Sequence, residues 1–246
     1  GKLALGRLAE LQPDLLTLDM EMPEMNGLEV LQALSSAERR PGVILLSAHT
    51  VRGGQMTVRA LELGAFDFVT KPESGSALEN VAQIRESLRP MVRAFQRQRD
   101  IRSVLRCEKG ATASCAQPAG AAGVIRRGPP MVLIGVSTGG PQALAQLLPA
   151  LPGTLGAPVF VVQHMPPLFT EPLAASLRAK CKLQVFHASE GQRAEAGCVY
   201  LAPGGSHMKL ARGPRGEIVI RITGDPPENN CRPSVDYLFR SAALEF

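Results

Sequence analysis

Residues 131–146 read MVLIGVSTGGPQALAQ: an apolar run, a glycine-rich corner with one serine, and a helix-forming tail. Met131, Val132, Leu133 and Ile134 suit a buried parallel strand, and Pro141 has its fixed φ where the first turn of a helix needs it. Gly135, Val136, Ser137, Thr138, Gly139 and Gly140 lie between. A serine at such a corner presents its hydroxyl at the carboxyl edge of a sheet. The glycines let backbone N–H groups approach a substrate, and the helix N-terminus favours negative charge. A nucleophile and its oxyanion hole need these features. A glycine-rich phosphate cradle or an ordinary strand-to-helix turn fits the same composition. The stretch has neither the G-x-x-x-x-G-K-[ST] spacing of a P-loop nor the G-x-G-x-x-G of a dinucleotide fold.

The next apolar run, PVFVVQ over residues 158–163, reads as a second buried strand. It ends on His164-Met165-Pro166-Pro167 and leads into a helix over about residues 169–179. Consecutive parallel strands place their carboxyl ends on one side of a sheet, so His164 is the candidate base for Ser137. Residues 183–186 read as a further strand. Residues 198–202, 207–211 and 217–222 read as antiparallel strands joined by Pro203-Gly204-Gly205 and by Gly213-Pro214-Arg215-Gly216. His207 in this group could face the site or be structural; His49 and His187 have no motif around them. Asn229-Asn230-Cys231-Arg232-Pro233-Ser234-Val235-Asp236 opens a last helix through Tyr237, Leu238 and Phe239.

The front of the chain has the same alternation. A helix carries Leu3, Leu5, Leu8 and Leu11; a strand over residues 14–18 ends on Asp19, one over 43–46 on Ser47, and one over 66–69 on Thr70-Lys71-Pro72. Helices are expected over residues 28–35 and 56–63. Asp19, Ser47 and Lys71 thus fall at one strand edge, where open α/β sheets carry their sites. A nucleophilic carboxylate, a cation and a hydroxyl are what acyl-phosphate chemistry requires. Residues 76–105 are helix-forming, with Leu78, Val81, Ile84, Leu88, Met91, Val92 and Phe95 at helical spacing. Pro90 is expected to kink or divide that helix. Arg85, Arg89, Arg93, Arg97, Arg99, Arg102 and Arg106 give it a basic face. Residues 107–128 turn to Ala, Gly, Ser and Pro, a flexible connector.

Composition narrows the class. The net charge of +5 could suit nucleic acid, but the arginines gather on the middle helix, so a solvated face is expected. No tract reaches the roughly 18 apolar residues of a membrane span, and no signal-peptide layout opens the chain. A cytoplasmic location without membrane insertion is expected. Cys107, Cys115, Cys181, Cys198 and Cys231 are scattered without a C-x-x-C pair, which points to reduced thiols.

LLTLDMEMPEMNGLEVL, LLSAHT and AFDFVTKP resemble the phosphoacceptor, switch-hydroxyl and Lys-Pro motifs of a response-regulator receiver domain. GVSTGG, QHMP, LAPGGSHM and NNCRPSVDYLFRSAA resemble, in that order, the catalytic domain of the chemotaxis protein-glutamate methylesterases (CheB). The resemblance implies a flavodoxin-like receiver over residues 1–90, a basic helix and linker over 91–128, and a doubly wound α/β methylesterase domain over 129–246. It also implies that each of the two domains is incomplete. Asp19 would be phosphorylated by a chemotaxis histidine kinase, with Ser47 and Lys71 in support, and Mg²⁺ would bind at Asp19 with further acidic ligands lying before this stretch. Ser137 would be the nucleophile and His164 the base, with Thr138 beside them. The third member, an aspartate of a methionine-glycine-rich motif, is expected beyond residue 246; neither Asp225 nor Asp236 is assigned to it. The esterase needs no cofactor. Its substrates would be methylated chemoreceptors, with glutamine deamidation as a second activity and no nucleic-acid partner. A response regulator with a DNA-binding output would instead carry a helix-turn-helix, whereas residues 129–246 read as α/β.

Overall fold

The computed structural model describes residues 1–37, 40–107 and 129–246. The connector expected over residues 107–128 falls outside them from 108 onward, as do the side chains of Arg102 and Arg106. The front unit runs α1 (Lys2–Leu11), β1 (Leu15–Asp19), α2 (Gly27–Ser35), β2 (Gly42–Ser47), α3 (Val51–Glu62), β3 (Asp67–Thr70) and α4 (Ala77–Cys107). Its sheet has the order β1-β2-β3, all parallel, with Asp19 opposite Leu46 and Ser47 opposite Thr70. Local chemistry sets the helix starts. Asn26 and Glu29 form a reciprocal capping box, and the Thr50 hydroxyl accepts from Gly53 N. Thr50 moves the start of α3 to Val51, five residues before the expected one.

Helix α4 runs through Pro90 as one element, so the expected division does not occur. Leu88 before the proline and Met91, Val92 and Phe95 after it pack on the same cluster of Ile44, Phe66 and Val69. Phe66 and Phe95 meet edge to face at 5.3 Å. Burial on both sides outweighs the missing N–H bond.

The rear unit runs β4 (Val132–Val136), α5 (Gly140–Ala150), β5 (Val159–Gln163), α6 (Pro167–Arg178), β6 (Gln184–His187), β7 (Cys198–Leu201), β8 (His207–Arg212), β9 (Ile218–Thr223) and α7 (Val235–Glu245). Its main sheet has the order β4-β5-β7-β6, all parallel. Two expectations are corrected. The strand over residues 198–202 is not part of an antiparallel group: β7 lies fully buried in the parallel sheet, and only β8 and β9 form a hairpin. The Pro203-Gly204-Gly205 turn leads out of the sheet instead, with Gly204 N bonded to Thr170 Oγ1 at 3.1 Å on α6. Strand β4 is parallel as expected but only half-buried, because it occupies the sheet edge, whereas β5 inside the sheet is buried throughout.

The two units share one apolar cluster, which runs from Leu45, Val58 and Leu61 to Leu144, Leu148, Phe169 and Leu173. Gly54 of α3 comes so close to α6 that an added Cβ would lie 2.6 Å from the Leu168 carbonyl oxygen. Phe68 and Phe169 rings are 4.4 Å apart, and Lys180 Nζ lies 2.9 Å from Glu62 Oε1.

Candidate active site

Strand pairing brings Ser137 and His164 together. Val136 is paired with Gln163, and His164 N donates to Val136 O at 3.1 Å, so the two residues leave adjacent strands at the same level. Ser137 then enters a turn closed by Gly140 N to Ser137 O at 2.7 Å, with Gly139 at φ 74°, where a side chain would be strained. Ser137 Oγ lies 3.3 Å from His164 Nδ1. The Gln163 amide bonds the carbonyls of both residues, at 3.1 Å each.

Burial holds the His164 imidazole below its ordinary pKa, and the nearby Asp236 charge only partly opposes this. A neutral ring is what a base near neutral pH requires. His164 Nε2 is buried and has no hydrogen-bond partner among the described residues. If Nδ1 accepts the serine proton, Nε2 carries the hydrogen, and this donor calls for an acceptor. Neither Asp225 nor Asp236 supplies it: Asp225 accepts from Thr223 and Tyr237, and Asp236 accepts from Asn229 at 3.0 Å. Cys231 Sγ, which the sequence did not single out for the site, lies 3.6 Å from His164 Nδ1. His207 does not face the site. It is fully buried, stacked on Tyr237, and accepts from Ser234 N while its Nε2 lies against Pro226 O. His187 also has a structural setting, between Glu171 and Thr170.

Thr138 points to the other unit. The carboxylate of Asp67, the first residue of β3, accepts from Phe68 N at 2.9 Å, and the Thr138 hydroxyl and Gly139 amide lie close enough to favour its charged form. Asp67 is 8% exposed, and burial raises its pKa to about 6 despite these donors. Sequence reasoning missed this residue; its one signal is a charge between Phe66 and Phe68 in an apolar strand.

At the edge of the front sheet, Lys71 Nζ lies 2.7 Å from Asp19 Oδ2, with both side chains 34% exposed. Ser47 is placed differently. It is fully buried, and its Oγ accepts from Thr57 Oγ1 at 2.6 Å on α3. Asp19 already accepts from Lys71 and from Glu21 N, and no group of three or more His, Cys, Asp or Glu among the described residues is placed to hold a metal ion. These residues alone do not match the octahedral oxygen set that Mg²⁺ demands.

A parallel sheet with an Asp/Lys pair at its edge, packed on an α/β sheet with a Ser/His corner, defines a phosphoacceptor-type unit joined to a hydrolase-type unit. Comparison with known families agrees. Residues 1–83 match the response regulator receiver domain, and residues 132–246 match the CheB methylesterase family. The protein-glutamate methylesterase/protein-glutamine glutaminase of Desulfotalea psychrophila is 44% identical over all of this chain and 70% of its own length. The protein of that name from Bacillus licheniformis is 43% identical over 99% of this chain and 68% of its own length. The crystal structure of the Thermotoga maritima CheB methylesterase catalytic domain is 41% identical, covers 46% of this chain and 60% of its own, and has a TM-score of 0.45. The chain belongs to the CheB methylesterase family and carries a receiver domain ahead of its catalytic unit.

Proposed function

We propose that the chain is a protein-glutamate methylesterase, with protein-glutamine glutaminase activity, regulated through its receiver unit. The observation that carries this is the 3.3 Å contact between Ser137 Oγ and His164 Nδ1 at the carboxyl ends of adjacent strands. Ser137 attacks the ester carbonyl of a methylated glutamyl side chain while His164 Nδ1 takes its proton. N–H groups of the glycine-rich corner hold the oxyanion. The C–O bond breaks, methanol leaves with the proton returned by His164, and a glutamyl ester of Ser137 remains. Water, deprotonated by His164, then attacks that ester; the bond from the acyl carbon to Ser137 Oγ breaks, Oγ takes the proton back from His164, and the glutamate carboxylate is released. A glutamine side chain follows the same steps with ammonia leaving. The buried Nε2–H of His164 requires a carboxylate acceptor, which would come from outside the described residues.

The substrates are methylated chemoreceptors, and the phosphodonor is a chemotaxis histidine kinase, as in a two-component system. Asp19 takes the phosphoryl group, Lys71 holds its charge, and the Ser47 hydroxyl leaves Thr57 to reach it. Receivers of this kind use Mg²⁺; here the ion would need ligands besides Asp19. The esterase needs no cofactor. In the unphosphorylated enzyme Asp67 and Phe66 lie against the Ser137 corner, and Phe68 packs on Phe169 of α6, so that the receiver keeps substrate out. The receiver extends over residues 1–90, the helix and linker over 91–128, and the catalytic domain over 129–246. Cytoplasmic action without nucleic acid or membrane insertion suits these partners; no helix among the described residues is long and apolar enough to cross a membrane. The test is release of methanol from methylated receptor by the full-length protein and by Ser137→Ala. The variant should lose roughly 10⁴-fold or more. Undiminished release would remove Ser137 from this role.

A further inference from the structure

Gln163 is the last residue of β5 and is 2% exposed. A buried amide is costly unless its polar atoms are paired. Here the pairing is one-sided. The two N–H bonds of Nε2 go to Ser137 O and His164 O, each at 3.1 Å, while Oε1 is buried without a partner. The slot fixes this orientation, because turning the amide around would set its oxygen against two carbonyl oxygens. Oε1 lies against Gly140, where an added Cβ would be 2.0 Å away. Glycine is what makes room for it.

An unpaired buried oxygen costs about 1–3 kcal/mol, and a leucine or methionine of similar size would avoid that cost. That cost offsets most of what the two bonds contribute to stability, so their net value lies in where they are placed. The strand ladder between β4 and β5 ends at His164 N to Val136 O. Beyond that bond Ser137 turns toward α5 and His164 toward Met165-Pro166-Pro167. Gln163 ties one carbonyl on each diverging chain, just past the last ladder bond, and so fixes the backbones from which the two reacting side chains start.

We infer that Gln163 is a positioning residue that holds Ser137 and His164 at reacting distance. It has this role only if Ser137 and His164 are the reacting pair. Their 3.3 Å separation is already at the long end for proton transfer, so a small backbone shift is costly to rate.

The experiment uses the full-length enzyme with Gln163→Leu, Gln163→Met and Gln163→Glu beside wild type and Ser137→Ala. It measures kcat and KM for ester hydrolysis, the rate of Ser137 labelling by a fluorophosphonate, and thermal stability. In Gln163→Leu and Gln163→Met, kcat and labelling rate should fall together by about 10- to 100-fold, with KM within about twofold and stability little changed. Gln163→Glu should show an added alkaline limb, since its ionised carboxylate repels both carbonyls and only its protonated form can donate. Rates within about twofold of wild type in Gln163→Leu and Gln163→Met, or losses in kcat that follow a loss of fold in both, would overturn the role. Full activity in Ser137→Ala would instead sink the esterase assignment itself, so the two failures are distinguishable.

Discussion

Asp67 of the receiver lies beside Thr138, the residue next to the candidate nucleophile Ser137, close enough for the hydroxyl to favour its charged form. One buried carboxylate therefore joins the phosphoacceptor sheet to the catalytic corner, two residues before Val69 and four before Lys71. Burial of its charge dominates the setting of this carboxylate. Asp67→Asn keeps an acceptor oxygen against the corner and removes the buried charge, so at neutral pH it should tighten the closed form and lower basal methyl-ester hydrolysis by the unphosphorylated enzyme. Unchanged or higher basal activity would show that closure does not bury the Asp67 charge.

The same carboxylate sets a pH dependence of stability. Its pKa is raised from 3.8 to about 6 by burial, so the folded, closed protein binds this proton more tightly than the unfolded chain does. The stabilisation from protonated Asp67 is full below about pH 4 and is lost as pH rises through about 6, by an amount of order 3 kcal/mol. Thermal unfolding compared between wild type and Asp67→Asn from pH 4 to 8 isolates it. Wild type should lose stability relative to the variant across that window, and parallel curves would assign the proton elsewhere.

The Ser137 and His164 positions are legible because each follows a short apolar run that reads as a buried strand, and the parallel register then aligns the strand ends. Asp19 and Lys71 are legible for the same reason. Periodicity stops where a contact joins distant segments. Asp67 between two phenylalanines carries no pattern that says what it meets, and Gln163 looks like the end of a strand until both carbonyls are in place. The Pro203-Gly204-Gly205 turn is ambiguous in sequence because the same residues serve a hairpin or an exit from a sheet. The side-chain direction of Ser47 depends on Thr57, ten residues away in the next helix, and alternation along a four-residue apolar run cannot show it.

The pH profile of activity should reveal His164. Burial lowers its pKa, so the neutral base persists to lower pH than an ordinary histidine allows. The acid limb of kcat/KM should therefore have its midpoint below 6.5. His164→Gln should remove the limb with most of the activity. A limb that survives the substitution identifies another base.

Lys71 and Asp19 form a partly exposed pair, worth at most about 1 kcal/mol of stability, so the contact at 2.7 Å is not there to hold the fold. Lys71→Ala should unfold close to the wild-type temperature and keep basal esterase activity. It should lose most of the rise in activity produced by a phosphodonor, because the phosphoryl charge on Asp19 loses its cation. Full activation of Lys71→Ala would leave this lysine without a part in signalling.

Gly54 gives the most direct control over the junction. A methyl group there would lie 2.6 Å from the Leu168 carbonyl oxygen, a backbone atom at the start of α6 that cannot swing aside. The receiver's own helix is not opposed to the change, since alanine is a better helix former than glycine by about 1 kcal/mol. Gly54→Ala should therefore leave the receiver folded and able to take phosphate at Asp19 while forcing α3 away from α6. The Phe68–Phe169 contact at 4.4 Å and the approach of Asp67 to Thr138 and Gly139 belong to the same junction and should loosen with it. The expected outcome is raised basal esterase activity, little further rise on phosphorylation, and faster amide exchange confined to α3, α6 and the Ser137 corner. If basal activity falls instead while exchange rises there, the receiver supports the catalytic corner in its working shape and does not block it.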